Sequence, residues 1–138
     1  MTEYVPTDEK VGPRFPLLLT TGRILSQYNV GAQTRRTDNV VWHGEDLLVR
    51  TDYGLFADQL TGYQTRANRQ AFEEAIDGQP ARVVTFDQPD GSRFTAVHFS
   101  DLGRLGAGPK KLTLVVISSG SRTTEEALRI VRSIRFRR

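Results

Sequence analysis

The chain has 138 residues, of which 38% are hydrophobic and 25% charged, with a net charge of +3 and no cysteine. That size predicts a single domain able to bury its own core, and the missing cysteines exclude disulfides, iron–sulfur ligation and thiolate metal sites or nucleophiles. No apolar run approaches the ~20 residues that span a bilayer, and Met1 to Pro6 lacks the basic start and apolar core of a signal peptide, so the expectation is a cytoplasmic protein without membrane contact.

Residues 1–13 are polar, carry Pro6 and Pro13, and predict an extended N-terminal arm. Phe15 to Leu19 is an apolar run of strand length, so residues 15–20 are predicted as a strand. It stops at Thr20-Thr21-Gly22-Arg23, where glycine permits close backbone approach to a partner. A polar loop is predicted over 21–39, rich in donors: Ser26, Gln27, Tyr28, Asn29, Gln33, Thr34, Arg35 and Arg36. A strand feeding such a loop suits a ligand with phosphates and a hydrogen-bonding heterocycle. Val40 to Trp42 is a short apolar patch, and residues 47–53 read as a strand ended by Gly54.

In the second part of the chain, Ala67, Ala71, Phe72, Ala75 and Ile76 fall on one face of a helix spanning Thr65 to Ile76, stopped by Asp77-Gly78-Gln79-Pro80. Ala81 to Phe86 and Arg93 to Phe99 read as strands joined through a hairpin turn at Asp90-Gly91. Leu112 to Ile117, following a glycine-rich loop over 103–109, has the continuous apolar character of a central strand. Thr123 and Glu126 form a capping box, and Ala127, Ile130, Val131 and Ile134 make the apolar stripe of a final helix. The fold class expected is therefore α+β: a mostly antiparallel sheet of five to six strands with two helices, the C-terminal one packed on the sheet.

Chemistry-bearing patterns are sparse. His43 and His98 lie far apart and read as solvated or satisfied side chains, so no metal ligands are expected. Asp87, Asp90 and Asp101 gather near the hairpin and read as turn formers. The arginines Arg129, Arg132, Arg135, Arg137 and Arg138 lack interleaved aromatics other than Phe136, which favours a solvated helix face over a nucleic-acid surface. No catalytic residues are identified.

The N-terminal segment is similar to a known family. Thr7-Asp8-Glu9-Lys10, Thr20-Thr21-Gly22-Arg23, Gly31-Ala32-Gln33-Thr34 and Trp42-His43 resemble the start of the C-terminal molybdopterin-dinucleotide-binding domain of formate dehydrogenase alpha subunits. The likeness runs from Tyr4 to about Leu48, roughly a third of the chain. It implies a double-psi β-barrel as the alternative fold and molybdopterin guanine dinucleotide as the cofactor. It also implies other domains or subunits of a molybdoenzyme as partners, since the molybdenum ligand and the iron–sulfur clusters of that family lie elsewhere. The implied cofactor-binding residues are Thr20, Thr21, Gly22, Arg23, Gln27, Tyr28, Asn29, Gln33 and Thr34. The Thr-Thr-Gly-Arg turn would hold phosphate or ribose oxygens, and the loop would read pterin or guanine edges.

After Leu48 the pattern changes. Residues 47–137 resemble, more loosely, small bacterial α+β modules of the PsbP and Mog1 type, through Asp77-Gly78-Gln79-Pro80-Ala81, Pro89-Asp90-Gly91 and Ser133-Ile134-Arg135-Phe136. The single domain thus divides into the arm, a cofactor-loop-like segment at 14–48, and a sheet-and-helix segment at 49–138. Two functions compete: a molybdopterin guanine dinucleotide-binding fragment of a formate dehydrogenase-like oxidoreductase, not catalytic alone, or a small non-catalytic accessory or interaction module.

Overall fold

The apolar run Leu112–Ser118 becomes a strand (β7) buried along nearly its whole length, with only Ile117 half-buried. A strand with no polar face must be covered on both sides, and the rest of the chain is arranged to do that. The computed structural model describes residues 32–36, 39–53, 57–102 and 111–136. Within them, β1 (Ala32–Arg36), β2 (Asn39–Gly44), β3 (Leu47–Tyr53), β4 (Ala67–Ile76), β5 (Gln79–Asp87), β6 (Arg93–Phe99) and β7 form one antiparallel sheet. The strand order is β1-β2-β3-β7-β6-β5-β4, and one helix, α1 (Thr124–Arg132), follows β7.

One face of the sheet packs on α1. Val49, Val83, Val97, Phe99, Leu112, Leu114 and Val116 meet Ala127, Ile130 and Val131 of α1 and Ile134 just past its C-cap, and all four are fully buried. The capping box forms as expected, the Thr123 side chain accepting from the Glu126 N–H (3.1 Å) and Glu126 from the Thr123 N–H (3.0 Å). At the other end, Arg132 grips the Glu74 carboxylate on β4 through two bonds of 2.9 and 3.0 Å. Phe136 packs edge-on against Phe99 at 4.8 Å, and its N–H donates to Asp77 at 2.8 Å. Two of the C-terminal arginines are therefore structural, Arg132 in this ion pair and Arg135 donating to the Arg132 and Ile134 carbonyls.

The opposite face is covered by an irregular strap, residues 57–66. Leu60 is fully buried on Val84, Phe86, Phe94, Ala96 and Val115. Tyr63 stacks on Phe86 (5.0 Å) and lies 5.4 Å from Phe94, and the Arg66 guanidinium sits 5.7 Å over Phe86. Burying these rings on a loop with no helix works because the strap's polar groups are met locally, Asp58 above all.

Several expectations need correction. The predicted helix at Thr65 to Ile76 is strand β4. The strand splits the expected helical stripe between its two faces: Phe72 and Ile76 turn toward α1 together with Glu74, while Ala67, Ala71 and Ala75 lie exposed on the other side with Glu73. Asp77 and Gly78, read as a helix stop, both have positive φ (51° and 78°), the backbone of a two-residue hairpin turn whose twist matches the flanking strands. Ile76 pairs with Gln79 across it. One helix, not two, is present among the described residues. The loop expected over 21–39 contains a strand at its end, β1, whose Gln33 and Thr34 pair with Trp42 and Val41. The double-psi barrel is not what the described strands form, since the sheet stays open with β1 and β4 at its edges. The strand expected at 15–20 lies outside the described residues. The Asp90 hairpin and the strands at 47–53 and 93–99 are found where the sequence put them.

Candidate functional site

Of the expected cofactor-binding residues, Thr20, Thr21, Gly22, Arg23, Gln27, Tyr28 and Asn29 lie outside the described residues. Gln33 and Thr34 have their backbones in the β1–β2 ladder. Two of the acidic residues near the hairpin have local partners. Asp90 accepts from the Ser92 N–H (2.9 Å) and hydroxyl (2.6 Å), bonds that hold its carboxyl below the ordinary value, and Asp87 accepts from Asn68 (2.6 Å). The turn-forming reading of Asp90 therefore holds.

A different polar constellation emerges from the register. Glu73 on β4 pairs with Arg82 on β5, Arg82 with His98 on β6, His98 with Thr113 on β7, and Thr113 with Asp52 on β3. Paired residues of antiparallel strands share a face, so these five form one row across five strands, on the strap side of the sheet.

Asp58 ties the strap to that row. Its N–H donates to Asp52 Oδ2 at 3.1 Å, its carbonyl accepts from the Thr113 hydroxyl, and its carboxylate accepts from the Leu60 N–H (2.8 Å) and the Tyr63 hydroxyl. The bond to Asp58, then burial, holds the Tyr63 phenol above its ordinary 10.0. Arg82 reaches up to the Gln59 carbonyl at 3.2 Å.

His98, in the middle of the row, is 4% exposed. Its Nδ1 lies 2.8 Å from Thr113 Oγ1. Because the Thr113 hydroxyl proton goes to the Asp58 carbonyl, the hydroxyl oxygen is left to accept, and Nδ1 must carry the ring proton. The neutral ring then presents a lone pair at Nε2, which is buried and meets no partner among the described residues. Burial first, and then the positive charges of Lys111 and Arg82, push the ring below its ordinary value of 6.5, so the neutral form prevails at neutral pH. His98 also lines a pocket of about 100 Å³ together with Gln59, Glu73, Arg82 and Ser100. The unbonded Nε2 is enclosed by the fold, and Arg82 lines the same pocket wall.

The expectation of a solvated or satisfied histidine is thus met at His43, which is exposed, and only half met at His98, where one nitrogen is bonded and one is not. The signal for the row was present in part. A hairpin centred on Asp90 sets Arg82 opposite His98, but reading 65–76 as helix removed Glu73 from the sheet.

Comparison with known proteins returns one short likeness. Over 38 residues the chain is 47% identical to the alpha subunit of F420-dependent formate dehydrogenase 2 of Methanococcus maripaludis. The match covers 28% of this chain and 6% of that protein, so the chain spans only a small fraction of that relative's length. No protein-family model matches, and no solved structure matches significantly. No helix among the described residues is long and apolar enough to cross a membrane.

Proposed function

We propose that the chain is a non-catalytic α+β accessory module, in which the formate dehydrogenase-like segment supplies edge strands to a sheet completed by the rest of the chain. The open strand order carries this reading. β1 and β2 continue the sheet beyond β3, and Trp42 of β2 is 1% exposed in the core under α1. The edge of that segment is thereby committed to this sheet, where a dinucleotide domain of the double-psi type would close a barrel around its binding loop. The chain then acts by presenting its surface to a ligand or another protein.

The short likeness favours a second reading, a molybdopterin guanine dinucleotide-binding piece of a formate dehydrogenase-like oxidoreductase that works with other domains or subunits. In that reading Thr20, Thr21, Gly22 and Arg23 meet phosphates, and Gln27, Tyr28, Asn29, Gln33 and Thr34 face the heterocycles. Arg23 leads, because a guanidinium grips phosphate with two parallel bonds and lysine does not.

Titrating GDP while following the amide signals of residues 20–34 separates the two. The accessory reading expects no saturable shift at millimolar GDP. Saturable shifts, weakened in Arg23→Ala by on the order of 1.5–3 kcal/mol, would move the assignment to the dinucleotide reading.

A further inference from the structure

β4 is a ten-residue edge strand whose outer side meets no other strand among the described residues. We propose that this edge pairs with β4 of a second copy of the chain, antiparallel about a two-fold axis centred on Ala71, so that two sheets continue into one. The inference concerns β4 alone and stands under either reading of residues 20–34.

Which backbone groups are free follows from the turn. Ile76 and Gln79 flank the two-residue turn at Asp77-Gly78 and pair with each other, so their N–H and C=O groups bond across the hairpin. Bonded and unbonded positions then alternate back along the strand. Gln70, Phe72 and Glu74 turn their main-chain groups to β5, and Ala71, Glu73 and Ala75 turn theirs outward. Proline and lysine commonly blunt such an edge, and residues 70–76 contain neither.

The side chains select the partner. Arg69 and Glu73 stand two positions either side of Ala71, and neither makes a side-chain hydrogen bond or ion pair among the described residues. Arg82, opposite Glu73 on β5, donates instead to the Gln59 carbonyl. Glu73 is exposed, while Arg69 is half-buried and enclosed at Nε. An antiparallel copy centred on Ala71 sets Arg69 opposite Glu73 of the second copy, and the two-fold axis repeats that contact. Opposite charges directly across a strand pair stabilise it, and like charges destabilise it. Ala71, small and exposed, meets Ala71 of the second copy. Other registers that keep the outward groups paired are poorer. Centring on Phe72 sets Glu73 against alanine and loses both charge contacts. Centring on Glu73 sets two carboxylates face to face. A strand of unrelated sequence gains the main-chain bonds without this doubled complementarity. The register shift between Ala67 and Gln70 ends the regular stretch just beyond Arg69, so the shared segment is short and the association weak.

The test is sedimentation of the full chain over a concentration series reaching about 1 mM, the weak end of measurable association, with amide exchange as the residue-level readout. The expected result is a monomer–dimer equilibrium. The Ala71 and Glu73 amides should slow as concentration rises, while those of Phe72 and Glu74, already bonded to β5, should not change. Glu73→Arg sets arginine against arginine and should weaken association about tenfold or more. Exchanging both residues, Arg69→Glu with Glu73→Arg, should bring it back. Ala71→Pro removes an outward N–H and no bond of the β5 ladder, so it should leave a monomer with the native spectrum. If that variant fails to fold, Glu73→Arg, at an exposed position, decides the matter. A chain that stays monomeric across the series, or a dimer that Glu73→Arg leaves unchanged, overturns the proposal. A folded double exchange that fails to restore association overturns the register centred on Ala71.

Discussion

His98 shows how one side chain is decided by its neighbours. In sequence it is a polar residue in an alternating strand, and in the fold it is a neutral ring whose tautomer is set by a hydroxyl on the next strand. Its depressed ionisation has a thermodynamic consequence. Above its ordinary value of 6.5 both folded and unfolded chains hold the ring neutral, and no stability depends on it. As pH falls through that value the unfolded chain takes up a proton that the folded chain resists, so the unfolded state binds more protons and stability drops. Chemical denaturation between neutral pH and about pH 5 should therefore show stability falling with acidification, with a clearly shallower slope in His98→Gln. Identical slopes in the two proteins would mean that His98 titrates normally in the fold. Asp90 and Glu126 have lowered values, so their contributions are lost only at more acidic pH and leave this window largely to the histidine.

The element that the sequence misassigned is also the one most dependent on its turn. β4 is a ten-residue edge strand with a register shift between Ala67 and Gln70, and it joins the sheet only through β5. Edge strands are held from one side, so the turn that sets their register carries unusual weight. Gly78 sits at φ +78° with open space around its Cα, so a side chain there meets no clash and the cost is purely conformational. Gly78→Val should destabilise by about 1–3 kcal/mol, since a β-branched residue is poorly tolerated at positive φ. Amide exchange should quicken along β4 before β6 or β7. Uniform exchange across the sheet would instead place the loss in the core. The same hairpin anchors the chain end through Asp77 to Phe136 and through Glu74 to Arg132. That exposed ion pair is worth at most about 1 kcal/mol, but its two-bond geometry fixes where the helix ends against β4.

At the scale of the whole molecule, the sheet is covered on one face by a helix and on the other by a strap without regular structure. The strap's weight falls on Leu60, fully buried yet at φ +59°, a backbone that a bulky residue avoids unless its surroundings enforce it. Leu60→Ala removes the centre of the second core. It should cost about 2–4 kcal/mol by the usual measure of a buried leucine, read from urea midpoints at unchanged m-value. A loss below about 1 kcal/mol would show that the strap is not integral to the fold. Because the strap also carries Asp58 and the Gln59 carbonyl, the same substitution should weaken the order of the His98–Thr113 pair.

Local patterns that admit one reading were settled by sequence: the capping box and stripe of α1, the apolar β7 and the hairpin at Asp90 each combine a turn or cap signal with a single periodicity. Residues 65–76 carry a helical period of 3.6 in their apolar positions, and only pairing with β5, a contact between distant positions, imposed the strand. The short likeness to a formate dehydrogenase alpha subunit is a property of sequence, whereas the open sheet that receives β1 and β2 is a property of pairing with β3 and β7. Beyond the Arg82–His98 pair that the Asp90 hairpin sets, the polar row from Glu73 to Asp52 was not legible in the chain, because its members are brought together by separate strand registers. Registers depend on every turn and bulge along the path, and the acceptor left open at His98 exists only once all of them are in place.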